Sequence, residues 1–206
     1  MSPLASRKER PWWRDAVTYQ IYPRSFLDSN HDGIGDLPGI IQKLDYLQNL
    51  GVDVIWLSPH FDSPNVDNGY DIRDYQKVMA ELGTMADFDD LMAGLKARNM
   101  HLIIDLVVNH TSDQHAWFQA AINSAPGSSE RAYYHFKDGK GVNGELPPNN
   151  WQSIFGGPAW SRITEADGSP GQWYLHLFDS SQPDLNWENP KIADEFDEIL
   201  RFWLKK

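Results

Sequence analysis

Acidic or amide side chains occupy alternate positions in the stretch DSNHDGIGD, at Asp28, Asn30 and Asp32, and a further one follows at Asp36. Alternating carboxylate and amide oxygens, with a glycine in the middle for a sharp turn, are typical of a loop that wraps a calcium ion. An EF-hand sensor also needs a bidentate glutamate at position twelve, but that position is Gly39. The pattern therefore favours a structural divalent-cation site over a calcium sensor, with a metal-free polar turn as the alternative.

Two further residues that could do chemistry lie in an apolar run and at its end, in the segment LIIDLVVNH. Asp105 interrupts the run, and a buried carboxylate is costly unless a cation or a set of donors faces it. It is therefore either half of a structural ion pair or the group that orients an active-site arginine. His110 ends the segment beside Asn109, where it would aim a hydrogen-bond donor at a cleft, although a lone histidine is more often structural.

Asp67 and Tyr70 form a third candidate group in the segment DNGYD. A carboxylate accepts hydrogen bonds from sugar hydroxyls, and a tyrosine ring offers a flat apolar face on which a sugar can stack. The chain has nine Trp, eight Tyr and nine Phe, most of which are expected to form the core. The three-residue spacing alone does not identify a ligand.

Three short apolar runs predict the strands that position these residues, and each precedes a helical pattern. The third run is nearly continuous and predicts a parallel strand buried on both faces. The three runs are residues 16–22, 52–58 and 102–108. Strands and helices that alternate in this order predict a parallel α/β fold.

Capping residues set the predicted helix boundaries. One helix is predicted over residues 36–51, from an aspartate cap to a glycine. A second begins at Thr84, where Asp87 completes a capping box, and a last one follows Asn189. Residues 109–189 separate the third strand from that last helix and are rich in glycine, proline, asparagine and aromatic residues. So long a connection predicts an inserted subdomain.

The candidate residues lie in the segments that directly follow the predicted strands. Reactive groups in such folds gather on the loops at the carboxyl ends of the strands. The three unusual segments follow the three predicted strands in turn: DSNHDGIGD, SPHFDSPNVDNGYDI and NHTSD. Their common position predicts one functional site at the carboxyl ends of these strands.

Composition narrows the class of protein. The 206 residues are 41% hydrophobic and 23% charged, which is typical of a globular chain with a core. With no cysteine, disulfides, cysteine nucleophiles and zinc–thiolate sites are excluded. A net charge of −11 argues against nucleic acid or an anionic membrane as partner. No apolar run is long enough to span a membrane, and the first fifteen residues lack a signal core, so we expect a soluble cytoplasmic protein.

Taken together, the motifs resemble glycoside hydrolase family 13, the α-amylase family, and within it the oligo-1,6-glucosidase and α-glucosidase branch. The segments that carry the resemblance are AVTYQIYPRSF, DGIGD, DNGYDIRDY, DLVVNHTSDQHAWF, FGGPAW, YLHLF and QPDLNWENP. The similarity as a whole extends from about Trp12 to Lys206, and the combination of DLVVNH with QPDLNW is specific.

The resemblance implies the N-terminal portion of a (β/α)8 TIM barrel with a B subdomain inserted after strand 3. Residues 1–110 would supply three strands and two helices, residues 111–188 the B subdomain and residues 189–206 the third barrel helix. The rest of the barrel and a carboxyl-terminal domain would lie outside this sequence. The implied substrates are short α-glucoside oligosaccharides, cleaved with retention; the oligomeric state is left open.

The resemblance also implies roles for individual residues. Asp67, Tyr70 and His110 would hold the glucosyl unit, Phe178 and Gln182 would approach the substrate from the B subdomain, and Asp105 would orient an arginine. A structural calcium ion would bind Asp28, Asn30, Asp32, Ile34 and Asp36. The nucleophile and general acid of the family fall after strands four and five, beyond Lys206. We therefore expect no catalytic residue within this chain, and expect this piece, as a fragment, to be inactive and aggregation-prone.

Several alternatives remain open at this point. Sucrose isomerases, trehalose-6-phosphate hydrolases and trehalose synthases share the same motifs. A relative from another class would be a non-catalytic sugar-binding or transporter-associated subunit. The intact set of Asp67, Tyr70, Asp105 and His110 argues against that class.

Overall fold

The computed structural model describes residues 11–165 and 167–206. The prediction about the first fifteen residues therefore lies, up to residue 10, outside the described residues. The described residues contain eight strands and six α-helices, in the order β1 (Thr18–Ile21), α1 (Pro23–Phe26), α2 (Leu37–Gln42), α3 (Leu44–Leu50), β2 (Val54–Leu57), β3 (Phe61–Asp62), β4 (Asp74–Val78), α4 (Met85–Ala97), β5 (His101–Ile104), α5 (Ala116–Ile122), β6 (Phe136–Lys137), β7 (Trp160–Thr164), β8 (Pro170–Leu175) and α6 (Pro190–Leu204). They divide into two compact units, one containing residues 11–60 and 80–105 and the other containing residues 61–79, 106–165 and 167–206.

The first unit contains a parallel sheet in the order β1-β2-β5. Thr18 pairs with Val54, which pairs with His101, so the strands are in register along their lengths. The predicted parallel α/β arrangement is therefore confirmed for this part. Its core combines apolar side chains of β2 with those of the helices α2, α3 and α4, all fully or nearly fully buried: Leu37, Ile40, Leu44, Leu47, Ile55, Leu57, Phe88, Leu91 and Leu95.

The helix predicted over residues 36–51 is two helices. Its ends are as expected, since Asp36 caps α2 and Gly51 ends α3 in the left-handed region, at φ 89°. The break lies at Lys43, with φ −103° and ψ 5°, where the backbone N–H bonds to the carbonyl three residues back, that of Ile40. Apolar spacing continues across the break because Leu44 still reaches the core.

The third predicted strand was too long, and its burial was wrong. β5 ends at Ile104, and Ile103 keeps 49% of its surface exposed. Among the described residues β5 pairs only with β2, so one edge of the strand lies at the margin of this sheet. Asp105 consequently follows the strand rather than interrupting it.

The second unit contains two small antiparallel sheets, β3-β4 and β6-β8-β7. None of these strands was predicted, because each is short or interrupted by turn residues. Helix α6 begins at the predicted cap Asn189 and buries Ile192, Phe196, Ile199 and Trp203. Tyr75 on β4 packs edge-on against Phe196, with ring centroids 5.2 Å apart. Within the part of the chain described here, no helix has the length and apolar character to cross a membrane.

Candidate functional site

A tight turn between β3 and β4 presents Asp67 and Tyr70. Three of its residues have positive φ, namely Asn65 at 67°, Asn68 at 50° and Gly69 at 91°. Asparagine and glycine tolerate this backbone conformation best, which explains the local sequence NVDNG. Asp67 and Tyr70 are both half-buried.

Asp71 holds this turn closed. Its carboxylate is fully buried and accepts backbone hydrogen bonds from Val66 and Asp67, each at 2.9 Å. One oxygen receives each N–H, so the side chain fixes the backbone direction at Asp67. A buried carboxylate is stable only with such donors around it.

Tyr75 anchors the segment that carries His110. Its hydroxyl lies 2.7 Å from the carbonyl of Val107 and 3.0 Å from that of His110. Burial raises the pKa of this hydroxyl well above its ordinary value, so it stays a neutral donor. The His110 ring lies 3.2 Å from the carbonyl of Tyr70 through Nε2, which brings the two predicted residues together.

Gln182 and Phe178 complete the group from the segment that follows β8. Gln182 is fully buried, and its amide donates to Asp67 Oδ2 at 2.9 Å; the same nitrogen lies 3.2 Å from His110 Nε2. The Phe178 ring packs against the imidazole of His110, with centroids 5.1 Å apart. The structure therefore brings together all five predicted sugar-binding residues.

Burial governs the charge of the imidazole. Desolvation lowers the pKa of His110, while the Tyr70 carbonyl and the carboxylates of Asp67 and Asp71 act in the opposite direction. The net shift is downward, so the ring is neutral at neutral pH. The site thus offers a carboxylate acceptor, a neutral imidazole, an amide and aromatic walls. Such groups bind a polyhydroxylated ligand, but they do not include the paired carboxyl groups that glycoside cleavage needs.

Asp105 lies in the first unit, directly after β5. Its carboxylate is half-buried rather than buried and accepts a hydrogen bond from Trp56 Nε1 at 2.8 Å. The Trp56 N–H is thus one of the hydrogen-bond donors that we expected around the Asp105 carboxylate.

The predicted calcium loop also lies in the first unit. Asp28 accepts backbone hydrogen bonds from His31 at 2.6 Å and Gly33 at 2.8 Å, which lower its pKa, the Gly33 bond most strongly. Asp32 accepts from the Ile34 N–H at 2.8 Å, and Asn30 Oδ1 from the Asp32 N–H at 2.9 Å. The loop is thus shaped by Asx-type turns. Its oxygens are the ligand type that calcium prefers, and a carboxylate oxygen can bind both an N–H and a cation.

Asp36 has a separate structural task. It is buried, and its carboxylate accepts from the Gly39 N–H at 2.6 Å as the cap of α2 and from the Ser29 hydroxyl at 2.8 Å. Across the described ranges, no three acidic or histidine side chains are placed together to hold a metal ion.

Packing explains why position twelve of that loop is glycine. A Cβ on Gly39 would lie 2.1 Å from the carbonyl oxygen of Leu27. No side chain fits there, so the bidentate glutamate of an EF-hand is excluded by sterics as well as by sequence.

Three residues that the sequence analysis did not single out contribute to the site. Asn109 donates to Asp184 Oδ1 at 3.2 Å, and Asp184 is buried. Phe155 packs edge-on against Phe178, with ring centroids 5.7 Å apart, and is 58% exposed. In the sequence, Asn109 is marked only as the neighbour of His110, Phe155 by the segment FGGPAW and Asp184 by the segment QPDLN. No rule of spacing connects residues so distant in the chain.

The chain matches the family model for the α-amylase catalytic domain over residues 20–206. It is 57% identical over 198 residues to a probable oligo-1,6-glucosidase of Bacillus subtilis (strain 168) and, over the same number of residues, 57% identical to the oligo-1,6-glucosidase of Parageobacillus thermoglucosidasius. Each match covers 96% of this chain and 34% of the relative. The chain therefore spans about a third of the length of these relatives.

Among solved structures, a mutant isomaltulose synthase from Erwinia rhapontici NX5, in complex with its natural substrate sucrose, matches with a TM-score of 0.89 and 57% sequence identity. The match covers 96% of this chain and 34% of that protein. Both kinds of comparison thus match this chain to one third of a longer enzyme.

Proposed function

This chain belongs to the α-amylase family through its catalytic domain, and on that premise we propose that the protein is a retaining α-glucosidase of the oligo-1,6-glucosidase type. It would release glucosyl units from the ends of short α-glucosides. Residues 20–206 would form the amino-terminal part of the catalytic barrel and its inserted B subdomain. They would contribute the binding of the terminal glucose.

The observation that carries the proposal is the convergence of Asp67, Tyr70, His110 and Gln182 in one unit. Asp67 Oδ2 and His110 Nε2 both lie within hydrogen-bond distance of the Gln182 amide, so the three polar groups face one small volume. A carboxylate beside a neutral imidazole matches the alternating acceptor and donor needs of adjacent sugar hydroxyls. Phe178 supplies the apolar wall. The names of relatives at 51–57% identity support α-glucosides as the substrate class.

A chimera tests the proposal directly. Residues 12–206 would replace the matching third of the Parageobacillus thermoglucosidasius oligo-1,6-glucosidase, and isomaltose hydrolysis would be followed. We expect the chimera to hydrolyse isomaltose, and Asp67→Asn to lower kcat/KM about 10- to 100-fold, since a hydrogen bond to a charged group contributes about 1.5–3 kcal/mol. Residues 1–206 alone are the baseline and should show no hydrolysis, because the two catalytic carboxyl groups are supplied by the rest of the relative.

The control is Asp194→Asn, which removes one charge from the exposed side of α6 and should leave kcat/KM unchanged. A chimera that melts cooperatively and yet fails to hydrolyse isomaltose would refute the proposal. A chimera in which Asp67→Asn has full activity would refute the role given to the carboxylate.

The isomaltulose synthase match favours sucrose isomerisation as a second candidate. A second chimera, with the remaining two thirds of that synthase, should convert sucrose to isomaltulose if residues 12–206 supply only the glucose-binding part. If the second chimera does not isomerise sucrose while the first hydrolyses isomaltose, residues 12–206 would be assigned to the hydrolase branch.

We also propose that Asp28, Asn30, Asp32, the Ile34 carbonyl and Asp36 bind a structural calcium ion. Supporting this are the oxygen donors at alternate positions and the lowered pKa of Asp28, which keeps it ionised. Calcium added to the chelator-treated chain should raise its melting temperature. At a calcium concentration 100 times the Kd, the stabilisation would be about 2.7 kcal/mol.

Asp32→Ala should abolish the calcium response, whereas Asp90→Ala, on the exposed side of α4, should preserve it. An identical melting temperature with and without calcium would refute this site.

A further inference from the structure

One atom of the Asn109 side chain, the amide nitrogen Nδ2, faces two polar groups. Its Nδ2 lies 3.2 Å from His110 Nδ1 and 3.2 Å from Asp184 Oδ1. An amide nitrogen carries two hydrogens, so it can donate to both at once. The orientation of this one amide therefore decides which nitrogen of His110 carries a proton.

Asp184 determines that orientation. It is 4% exposed, and the same Oδ1 also accepts from the Leu177 N–H at 3.1 Å. An ionised carboxylate only accepts hydrogen bonds. Turning the Asn109 amide over would bring its carbonyl oxygen against the Asp184 oxygen and leave two acceptors in contact, which is unfavourable for a buried group. The nitrogen must therefore point at Asp184, and with it at His110.

The consequence for His110 follows from the chemistry of imidazole. A neutral ring has one protonated and one bare nitrogen. Because Nδ1 receives the Asn109 hydrogen, the proton of the ring is on Nε2. The Tyr70 carbonyl, 3.2 Å from Nε2, is an acceptor in the right place for it. Nε2 is also the nitrogen on the side of Gln182, whose amide binds Asp67.

We infer that Asn109, oriented by Asp184, is a positioning residue that fixes His110 as the tautomer with its proton on Nε2. The imidazole then presents a donor, not an acceptor, on the side where Asp67 presents an acceptor. That the group facing this donor is a sugar hydroxyl rests on the proposed function, whereas the tautomer itself does not.

The competing arrangement has the proton on Nδ1. It would require the Asn109 carbonyl to face His110, and Nε2 to accept from the Gln182 amide. The Tyr70 carbonyl would then oppose a bare nitrogen at 3.2 Å. Two acceptor-to-acceptor contacts, at Tyr70 and at Asp184, weigh against it. The Nε2 tautomer has one unfavourable contact, donor to donor, between the ring N–H and the Gln182 amide nitrogen 3.2 Å away.

Nuclear magnetic resonance of the chimera with the Parageobacillus thermoglucosidasius enzyme, labelled with ¹⁵N-histidine, distinguishes the two. The ring nitrogens of a neutral histidine give separate signals for the protonated and bare positions. At neutral pH we expect the protonated signal of His110 at Nε2; the same signal at Nδ1 would overturn the inference. His110→Gln, which removes the signals, assigns them.

Two variants test the chain of positioning residues. Asn109→Asp replaces the donor by an acceptor, so the proton should move to Nδ1 or the ring should become charged with a raised pKa. Asp184→Ala removes the group that orients the amide and should give a mixture of tautomers. Asp184→Asn keeps an acceptor oxygen for both donors and should preserve the native tautomer, which separates loss of the acceptor from loss of charge.

An unchanged Nε2 proton in both Asn109→Asp and Asp184→Ala would show that the Tyr70 carbonyl alone selects the tautomer, and would overturn the role of Asn109. If one of these variants fails to fold, the other still tests the role of Asn109, because either loss of its donor or loss of the group that orients it should change the tautomer. The readout needs no sugar and no turnover. An inactive chimera with the Nε2 tautomer would refute the proposed function alone, and an active one with the Nδ1 tautomer would refute this inference alone.

Discussion

At the scale of single residues, buried carboxylates hold in place the segments that carry the candidate site. Asp71 fixes the turn before Tyr70 through two backbone N–H groups, and Asp184 orients Asn109. Burial raises the pKa of Asp184 to about 6, which is the cost of keeping that carboxylate out of water. Asp71 and Asp184 therefore influence the site through the residues to which they are hydrogen-bonded.

Asp71→Asn should destabilise the chain measurably. Each of the two N–H groups bonds to a different oxygen of Asp71, and in asparagine one of these oxygens is replaced by an NH2 donor. Leaving one part-buried N–H without an acceptor costs about 1–3 kcal/mol, so the urea midpoint should fall. Asp194→Asn, exposed on α6, makes the same change of charge and should leave the midpoint in place. Equal midpoints for the two variants would contradict the role of Asp71.

The membership of this cluster was partly predictable. Residue type and position after the predicted strands made Asp67, Tyr70 and His110 candidates, and the family resemblance added Phe178 and Gln182; their role in binding a sugar stays a prediction. Asn109, Asp184 and Asp71 were not assigned a role, because their partners depend on how segments distant in sequence pack. Asp184 meets Asn109 across 75 positions of the chain, and such pairings leave no local periodicity.

At the scale of secondary structure, the ends of helices were predicted better than their interiors and better than the ends of strands. The caps at Asp36, Thr84 and Asn189 all accept backbone hydrogen bonds from the first turn of the helix that follows. The break at Lys43 and the early end of β5 were missed, because apolar spacing continues through both. The sheets of the second unit were missed for the opposite reason, since their strands are short and separated by glycines and prolines.

The capping box at the start of α4 should contribute measurably to the stability of the chain. Thr84 Oγ1 accepts from the Asp87 N–H at 3.2 Å, and Asp87 Oδ2 accepts from the Thr84 N–H at 2.7 Å. Thr84→Ala removes one of these bonds and should lower the free energy of unfolding by about 1 kcal/mol. Chemical denaturation monitored by circular dichroism measures it. Thr84→Ser should retain most of the stability, and a Thr84→Ala chain as stable as the unsubstituted one would rule out a contribution from the cap.

At the scale of the whole molecule, charge is the property that the sequence determines most directly. The net charge is −11 at pH 7, and the sequence pI is about 4.9. Repulsion between like-charged molecules falls as carboxylates are protonated, so solubility should be lowest near pH 4.9. Turbidity across a pH series measures this minimum.

Replacing the exposed residues Asp90 and Asp194 by lysine provides the control for that prediction. The double variant should have its solubility minimum at a higher pH, because less titration is needed to reach zero net charge. A minimum that stays in place would mean that local patches, not net charge, control association.

The turn that presents Asp67 also limits how long a preparation stays uniform. Asn68 precedes Gly69, and an asparagine followed by glycine is the pair whose side-chain amide is most readily attacked by the next backbone nitrogen. The succinimide ring that forms opens to aspartate or isoaspartate. The first product adds a negative charge next to Asp67, and the second inserts a carbon atom into the backbone of a turn whose φ angles are closely specified. Chemical ageing of a stored sample would therefore include a change beside Asp67, the carboxylate proposed to bind the sugar, detected as a one-dalton mass increase in the peptide that contains Asn68. Asn143 and Gly144 form the other such pair in the sequence.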